Sequence, residues 1–249
     1  MIRIEIDGNA VEVAEGSTVL EAARKLGIDI PTLCHHAGLT PYGACRLCVV
    51  EVEQRGRKRI ESSCTRPVEP DMVVRTDTDD LREYRRTTAE LLVAQCPDSK
   101  PIRELAERLG VQNVRFEGRG MECILCGLCT RACQQKIGTP AISFIHRGVD
   151  RKVATPFEIQ SDVCIGCGAC ARVCPTGCIA IEDMGNKRVL RVFNTELELQ
   201  ACSECGAYFA PQRMIDRLKT ETEVTEGLLT RCPACRRQAI GAVLRQAMR

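Results

Sequence analysis

The chain is predicted to be an α+β protein assembled from several small segments, and three observations lead there. Strand-like alternation and one capped amphipathic helix occupy the first 79 residues, helical periodicity almost free of cysteine fills the next stretch, and an internal cysteine repeat follows. The composition is dominated by 18 cysteines in 249 residues. A chain of this length does not call for a disulfide framework, and no apolar run approaches a membrane span or a secretion signal. The expectation is a cytoplasmic chain whose clustered thiols bind metal. A net charge of +2, from 35 Lys and Arg against 33 Asp and Glu, supplies no general pull toward nucleic acid or an anionic membrane. Aromatic residues make up only 3% and Trp is absent, so something other than large rings is expected to fill the interior.

Ile2, Ile4 and Ile6 alternate, Asp7-Gly8-Asn9 supplies turn chemistry, and Val11 and Val13 alternate beyond it, which predicts a hairpin. Thr18 and Glu21 form a capping box for a helix carrying Val19, Ala22, Ala23 and Leu26 and ending at Gly27. A loop with Cys34, Cys45 and Cys48 leads into a strand (Val49, Val50, Val52), a basic turn Arg55-Gly-Arg-Lys-Arg59 and Ile60. The order β-β-α, cysteine loop, β-β fits a small mixed sheet on one helix. Residues 80–118 predict two linking helices. In the first, Asp80 and Glu83 take the cap and third positions and Leu81, Tyr84, Thr88, Leu91 and Leu92 share a face. The second follows Ser99 and Pro101 and carries Ile102, Leu105, Ala106 and Leu109 before Gly110.

Residues 119–190 hold the repeat. Cys123-x2-Cys126-x2-Cys129-x3-Cys133 and Cys164-x2-Cys167-x2-Cys170-x3-Cys174 match at Ile, Gly and Arg as well as at each Cys. Such runs hold 4Fe-4S clusters in bacterial two-cluster ferredoxins, where three close thiolates wrap one cluster and the fourth crosses to the other. The expected ligand sets are therefore Cys123, Cys126, Cys129 and Cys174, and Cys164, Cys167, Cys170 and Cys133. Gly127, Gly166 and Gly168 allow tight turns that aim N–H groups at sulfur. Gln134 departs from the Pro of the bacterial signature, which Pro175 retains.

Cys34-x10-Cys45-x2-Cys48-x15-Cys64 is less regular than a plant-type 2Fe-2S run, which has four residues between its first two ligands. A 2Fe-2S site, a zinc site and structural thiols are the readings for it. Residues 191–249 carry Cys202-x2-Cys205 and Cys232-x2-Cys235 around a helix with Met214, Ile215 and Leu218, and end in a helix with Ala239, Ile240, Val243 and Leu244. Two such knuckles make the closed four-thiolate arrangement of structural zinc, and a rubredoxin-like single iron uses similar ones.

The spacing at Cys34, Cys45, Cys48 and Cys64, preceded by Ile30-Pro31-Thr32-Leu33 and followed by two ferredoxin runs, resembles the amino-terminal iron-sulfur region of several complexes over about residues 1–185. They include the large iron-sulfur subunit of NADH:quinone oxidoreductase, subunits of NAD-linked nickel-iron hydrogenases and formate dehydrogenases, and iron-only hydrogenases. The resemblance implies a β-grasp 2Fe-2S domain over 1–79, a helical linker over 80–118, a double 4Fe-4S domain over 119–190 and a zinc-ribbon-like or rubredoxin-like tail over 191–249. It also implies a one-electron relay between a flavin-containing NAD(P)H-oxidising subunit and a hydrogenase or formate dehydrogenase catalytic subunit, with bifurcating complexes among those of this kind. Many members carry a further cluster on one His and three Cys after a phrase like Leu91-Leu92-Val93-Ala94-Gln95. Here Cys96 stands in place of that His, and residues 97–113 hold neither Cys nor His, so that cluster is expected to be missing.

No dinucleotide fingerprint, phosphate loop or nucleophile-base set is present, which assigns the catalytic chemistry to partners. His35 and His36 flank a candidate ligand, either tuning it or as polar surface. Arg131 and Arg172, at equivalent places in the repeat, are read as tuning the clusters or as surface ion pairs. A free ferredoxin-like carrier is the binding-class alternative. A nucleic-acid-binding protein with structural clusters would need a basic, aromatic-bearing face that the composition does not provide. Cys96 and Cys178 remain outside the four groups, Cys178 being read as a small buried residue.

Overall fold

The computed structural model describes residues 1–118, 120–223 and 226–247. The contacts divide the chain into two compact units, Met1–Arg131 with Cys174–Cys178, and Ala132–Val173 with the chain from Ile179 onward. Among the described residues no helix is long and apolar enough to cross a membrane.

In the first unit β1 (Ile2–Ile6) and β2 (Asn9–Val13) form the expected antiparallel hairpin. Its tip, Asp7 at φ 49° and Gly8 at φ 80°, puts two successive residues in the left-handed region, as a two-residue turn matched to strand twist requires. Helix α1 (Val19–Lys25) starts at Thr18 with both halves of the capping box made. β3 (Val49–Gln54) and β4 (Arg57–Ser62) form a second hairpin around Arg55-Gly56. The sequence pattern did not reveal β5 (Val73–Arg75), which pairs parallel with β1 and antiparallel with β3 and completes the sheet order β2-β1-β5-β3-β4. Three residues carry too little periodicity to register, and both partners of β5 are distant in sequence. Ile4, Ile6, Val11, Leu20, Val50 and Val74 pack with Cys48 and Cys64 in one core. Each fully buried aliphatic side chain there contributes roughly 1.5–3 kcal/mol.

Helix α2 (Asp79–Gln95) is capped by Thr78, whose hydroxyl accepts from the Leu81 N–H, and not by Asp80 as expected. The predicted face is also corrected, because Tyr84 and Leu91 are exposed. The buried stripe runs through Leu81, Arg85, Ala89 and Leu92. The Arg85 guanidinium replaces an apolar anchor by donating to the carbonyls of Leu47 (3.3 Å), Val49 (2.6 Å) and Thr76 (2.8 Å), which ties α2 to the sheet and to the cysteine loop. Helix α3 (Lys100–Arg108) has Pro101 in its first turn and buries Ile102, Leu105 and Ala106. Helix α4 (Leu128–Ala132) follows, and the chain then widens into a π-helical turn over Cys133–Ile137.

The second unit holds a hairpin of β6 (Ser143–Ile145) and β7 (Lys152–Ala154), the short helix α5 (Ala169–Arg172), and an antiparallel sheet. That sheet contains β8 (Glu182–Met184), β9 (Lys187–Leu190), β10 (Thr195–Ala201) and β11 (Tyr208–Pro211), in the order β11-β10-β9-β8. It runs through residue 190, so the boundary expected there falls inside a sheet. The period-2 signal of β10 was readable: Thr195, Leu197 and Leu199 are buried, while Glu196 and Glu198 are exposed. Helix α6 (Gln212–Glu221) buries Ile215 against Ala210 and Leu229, with Met214 and Leu218 partly covered. Helices α7 (Glu226–Thr230) and α8 (Pro233–Ala247) follow. On α8 Ile240 is exposed, and the side chains of Val243 and Leu244 lie outside the described residues.

Gly166 sits on this sheet at φ 67°, where a Cβ would come within 2.6 Å of Leu197 Cδ1 and 2.8 Å of Pro211 Cγ. Gly166→Ala is therefore expected to cost about 1–3 kcal/mol and to loosen the 164–168 loop, read as a lowered thermal midpoint and faster amide exchange there. Arg85→Ala leaves three carbonyls without their donor; it is expected to remove about 3 kcal/mol and lower the thermal midpoint by about 10 °C in a circular-dichroism melt.

Candidate metal centres

The amino-terminal group is almost fully buried, with Cys34, Cys48 and Cys64 at 1% exposure and Cys45 at 7%. Its thiols come as two hydrogen-bonded pairs, Cys34 with Cys45 and Cys48 with Cys64. In each pair one sulfur accepts from the other, which holds Cys45 and Cys48 down to about 6 and pushes Cys34 and Cys64 up. Arg46, between the second and third thiols, lies in the left-handed region at φ 58°, at a cost of about 1–3 kcal/mol. Backbone donors converge as a result: the Cys45 N–H meets Cys34 Sγ at 3.4 Å, and the Leu47 N–H donates to the Cys45 sulfur. Two separate pairs suit two irons sharing sulfide. A single tetrahedral ion needs all four sulfurs together, and among the described residues that occurs only in the carboxy-terminal group.

In the first ferredoxin run Leu125 takes φ 54° and its N–H meets Cys123 Sγ at 3.4 Å. The segment is anchored to the end of α2, where Gln95 Nε2 donates to the Cys123 carbonyl (2.9 Å) and the Met121 N–H to the Gln95 carbonyl (2.9 Å). The first unit contains Cys123, Cys126, Cys129 and Cys174, while Cys133, Cys164, Cys167 and Cys170 belong to the second. The two fourth cysteines have thus changed places relative to chain order.

Arg131 and Arg172 are equivalent in sequence and unlike in structure. Arg172 is exposed, whereas Arg131 is buried at 8% exposure. The Arg131 guanidinium donates to the carbonyls of Gly127 (3.2 Å), Thr40 (2.5 Å) and Cys34 (2.7 Å) and lies 5.4 Å from the Tyr42 ring centroid. It ties the loop of the first cysteine group to the run at 123–129. Holding the Gly127 carbonyl outward turns the Leu128 N–H of the same peptide toward Cys126, whose sulfur accepts it. The ion-pair reading of Arg131 is thereby replaced by a carbonyl clasp. His35 meets Arg24 at 3.1 Å, and burial together with that charge pushes its imidazole below the usual range; His36 Nδ1 accepts from the Gly38 N–H.

In the second unit Cys133, Cys164, Cys167 and Cys170 line one pocket with Leu190 and Phe193. Its rim carbonyls are held by arginines, Arg213 donating to Ser161 and Asp162 at 3.0 Å each and Arg188 to Gly166 at 2.9 Å. Burial and the neighbouring thiols push Cys170 up to about 12, so four thiolates here require a metal to neutralise them. The Thr155 hydroxyl lines the same pocket at 1% exposure and has no hydrogen-bond partner. An orphaned buried hydroxyl costs about 1–3 kcal/mol, and a sulfur acceptor in the pocket removes that penalty. The donor set and this hydroxyl fit a 4Fe-4S cluster. Thr155 has no cysteine beside it in sequence and was not legible there.

The sulfurs of Cys202, Cys205, Cys232 and Cys235 lie within 4.8 Å of one another. The Cys232 N–H meets Cys202 Sγ at 3.2 Å and the Cys235 N–H meets Cys232 Sγ at 3.5 Å, and backbone donors hold Cys202 down to about 6. This is a compact four-sulfur cage with room for one ion.

Residues 1–79 match a 2Fe-2S iron-sulfur cluster binding domain, and residues 122–178 and 163–210 match a 4Fe-4S dicluster domain. The NADP-reducing hydrogenase subunit HndD of Solidesulfovibrio fructosivorans is 36% identical over 72% of this chain and 36% of its own length. An NADH-quinone oxidoreductase subunit of Rhizobium meliloti is 34% identical over 72% of this chain and 24% of its own. An NADH-quinone oxidoreductase subunit of Streptomyces coelicolor is 33% identical over 83% and 27%. The chain thus spans about a quarter to a third of the length of these relatives. A chain from the crystal structure of the NAD+-reducing [NiFe]-hydrogenase in the H2-reduced state superposes with a TM-score of 0.61 at 29% identity, covering 71% of this chain and 85% of that one. With a 2Fe-2S domain followed by a 4Fe-4S dicluster domain, the chain is a homologue of the iron-sulfur subunits of NAD(P)-linked hydrogenases and NADH-quinone oxidoreductases.

Proposed function

We propose that the chain is an electron-relay subunit, passing single electrons between a flavin-containing NAD(P)H-oxidising subunit and a hydrogenase or formate dehydrogenase catalytic subunit in a cytoplasmic hetero-oligomeric complex. What supports this reading is the succession of a 2Fe-2S domain and a 4Fe-4S dicluster domain in one chain, with Arg131 tying the loop of Cys34 to the run at 123–129. Cys34, Cys45, Cys48 and Cys64 hold a 2Fe-2S cluster, Cys123, Cys126, Cys129 and Cys174 one 4Fe-4S cluster, and Cys133, Cys164, Cys167 and Cys170 another. Cys202, Cys205, Cys232 and Cys235 hold a structural zinc, because a closed four-thiolate cage leaves no position for a substrate.

Iron-sulfur clusters supply reversible one-electron chemistry when bound, which divides a two-electron event at flavin into single transfers. The chain's own residues do the rest. Backbone N–H groups at Cys45, Leu47, Leu125 and Leu128 stabilise negative charge on sulfur. Arg131 holds the Cys34 loop against the 123–129 run and so sets the separation over which an electron passes. Burial of the amino-terminal thiols excludes water.

Metal and sulfide analysis of the anaerobically purified chain is expected to return about ten irons, about ten sulfides and about one zinc. An iron count near eight would remove the 2Fe-2S assignment, and one near fourteen would make the last group a third 4Fe-4S site. Co-purification with large stoichiometric subunits is expected; isolation as a free monomer would favour a diffusing carrier. Thr155→Val removes the hydroxyl that would donate to a sulfur of the second 4Fe-4S cluster, a bond worth about 1 kcal/mol, and is expected to lower that midpoint potential by about 40 mV in an EPR-monitored titration. An unchanged potential would assign Thr155 to packing alone.

A further inference from the structure

Two thiols stand outside the four groups, and both lie in the first unit. Cys178 follows Cys174 by one tight turn. Gly177 takes φ 72°, its N–H faces the Cys174 carbonyl at 3.4 Å, and the Cys178 Sγ comes to 3.6 Å from the Cys174 Sγ. The Cys178 thiol also shares a hydrogen bond with Cys123, a second candidate ligand of the same site. Cys96 is fully buried at the end of α2 and interacts electrostatically with both Cys178 and Cys174. Cys178 is therefore not an inert filler of the core. It is a half-buried thiol in contact with two of the four candidate ligands.

The second site offers a contrast within the same chain. Its crossing thiol, Cys133, has the carbonyl of Thr139 at 2.5 Å and the Thr139 hydroxyl at 3.9 Å, and no thiol outside the ligand set accompanies it among the described residues. The repeat makes the two sites alike in sequence, so the extra thiol is particular to the first.

A sulfur 3.6 Å from a ligand sulfur, on a turn hinged at a glycine, reaches the same iron after a side-chain rotation and a small movement of the turn. The replacement is chemically balanced. One thiolate–iron bond breaks and another forms, the Cys178 proton passes to the departing Cys174 sulfur, and no electron moves. Charge and ligand number at the cluster stay the same. We propose that Cys178 is a reserve iron ligand of the amino-terminal 4Fe-4S site, able to take the place of Cys174. This rests on the assignment of that cluster to Cys123, Cys126, Cys129 and Cys174.

The test compares the wild-type chain with Cys178→Ala, Cys174→Ala, the double variant Cys174→Ala/Cys178→Ala, and Cys133→Ala, each purified anaerobically and measured for iron, sulfide and the EPR spectrum of the reduced form. Cys178→Ala and Cys174→Ala are expected to keep the wild-type iron count, the latter with altered g-values at one 4Fe-4S signal. The double variant is expected to lose up to about four irons, as is Cys133→Ala, which has no reserve thiol. Equal iron loss in Cys174→Ala and the double variant overturns the proposal. A wild-type chain without 4Fe-4S signals overturns instead the ligand assignment beneath it. Should Cys174→Ala fail to accumulate, Cys174→Ser supplies the same decision. If Cys178 has taken over in that variant, adding Cys178→Ala changes the iron–sulfur vibrations in resonance Raman; if they are unchanged, the introduced hydroxyl or nothing binds the iron and the proposal falls.

Discussion

Crowding several thiolates into a space shielded from water is the constraint on which the rest of this molecule depends. Burial removes the water that would screen a thiolate, like charges repel, and the result is visible in Cys170, pushed up to about 12. The fold answers with peptide dipoles. Arg46 and Leu125 accept left-handed backbone so that N–H groups turn toward sulfur, and arginine side chains hold neighbouring carbonyls. Arg131, Arg188 and Arg213 share this carbonyl-holding role despite lying far apart in the chain.

The same constraint explains why Arg85 replaces an apolar anchor on α2. The cysteine loop preceding β3 is irregular, so the Leu47 and Val49 carbonyls need a donor from another element. A guanidinium can reach both and the Thr76 carbonyl, which no aliphatic side chain could satisfy. The helix that the sequence marks as a linker is by this contact part of the first unit's sheet. Its other end, at Gln95, grips the backbone of the first ferredoxin run. One helix thereby connects the supports of two candidate clusters.

The repeat is close to symmetric as a string of letters and clearly asymmetric as an object. Arg131 is a buried clasp and Arg172 an exposed surface residue. Cys174 has a neighbouring thiol and Cys133 a neighbouring threonine. Thr155 supplies a buried hydroxyl to the second site from a strand connection that carries no cysteine. Identical cysteine spacing is therefore set in unlike surroundings, which are drawn from unrelated segments.

Cysteine spacing alone marked the 2Fe-2S domain and the 4Fe-4S dicluster domain, because a ligand loop must wrap its metal locally and its spacing is set by bond lengths. The β1-β2 hairpin, the capping box at Thr18 and the helices of 80–110 were likewise legible, being encoded by neighbours in the chain. Tertiary structure decided what depends on contacts distant in sequence: the short β5 between β1 and β3, the cap at Thr78 with Arg85 on the buried face, and the sheet crossing residue 190. It also decided the pairing of Cys34 with Cys45 and Cys48 with Cys64, the clasp of Arg131 on Cys34, and the approach of Cys178 to Cys174. Periodicity reports which side of an element is apolar, but a polar side chain buried through hydrogen bonds to remote carbonyls leaves no period. Only the folded chain shows what it holds.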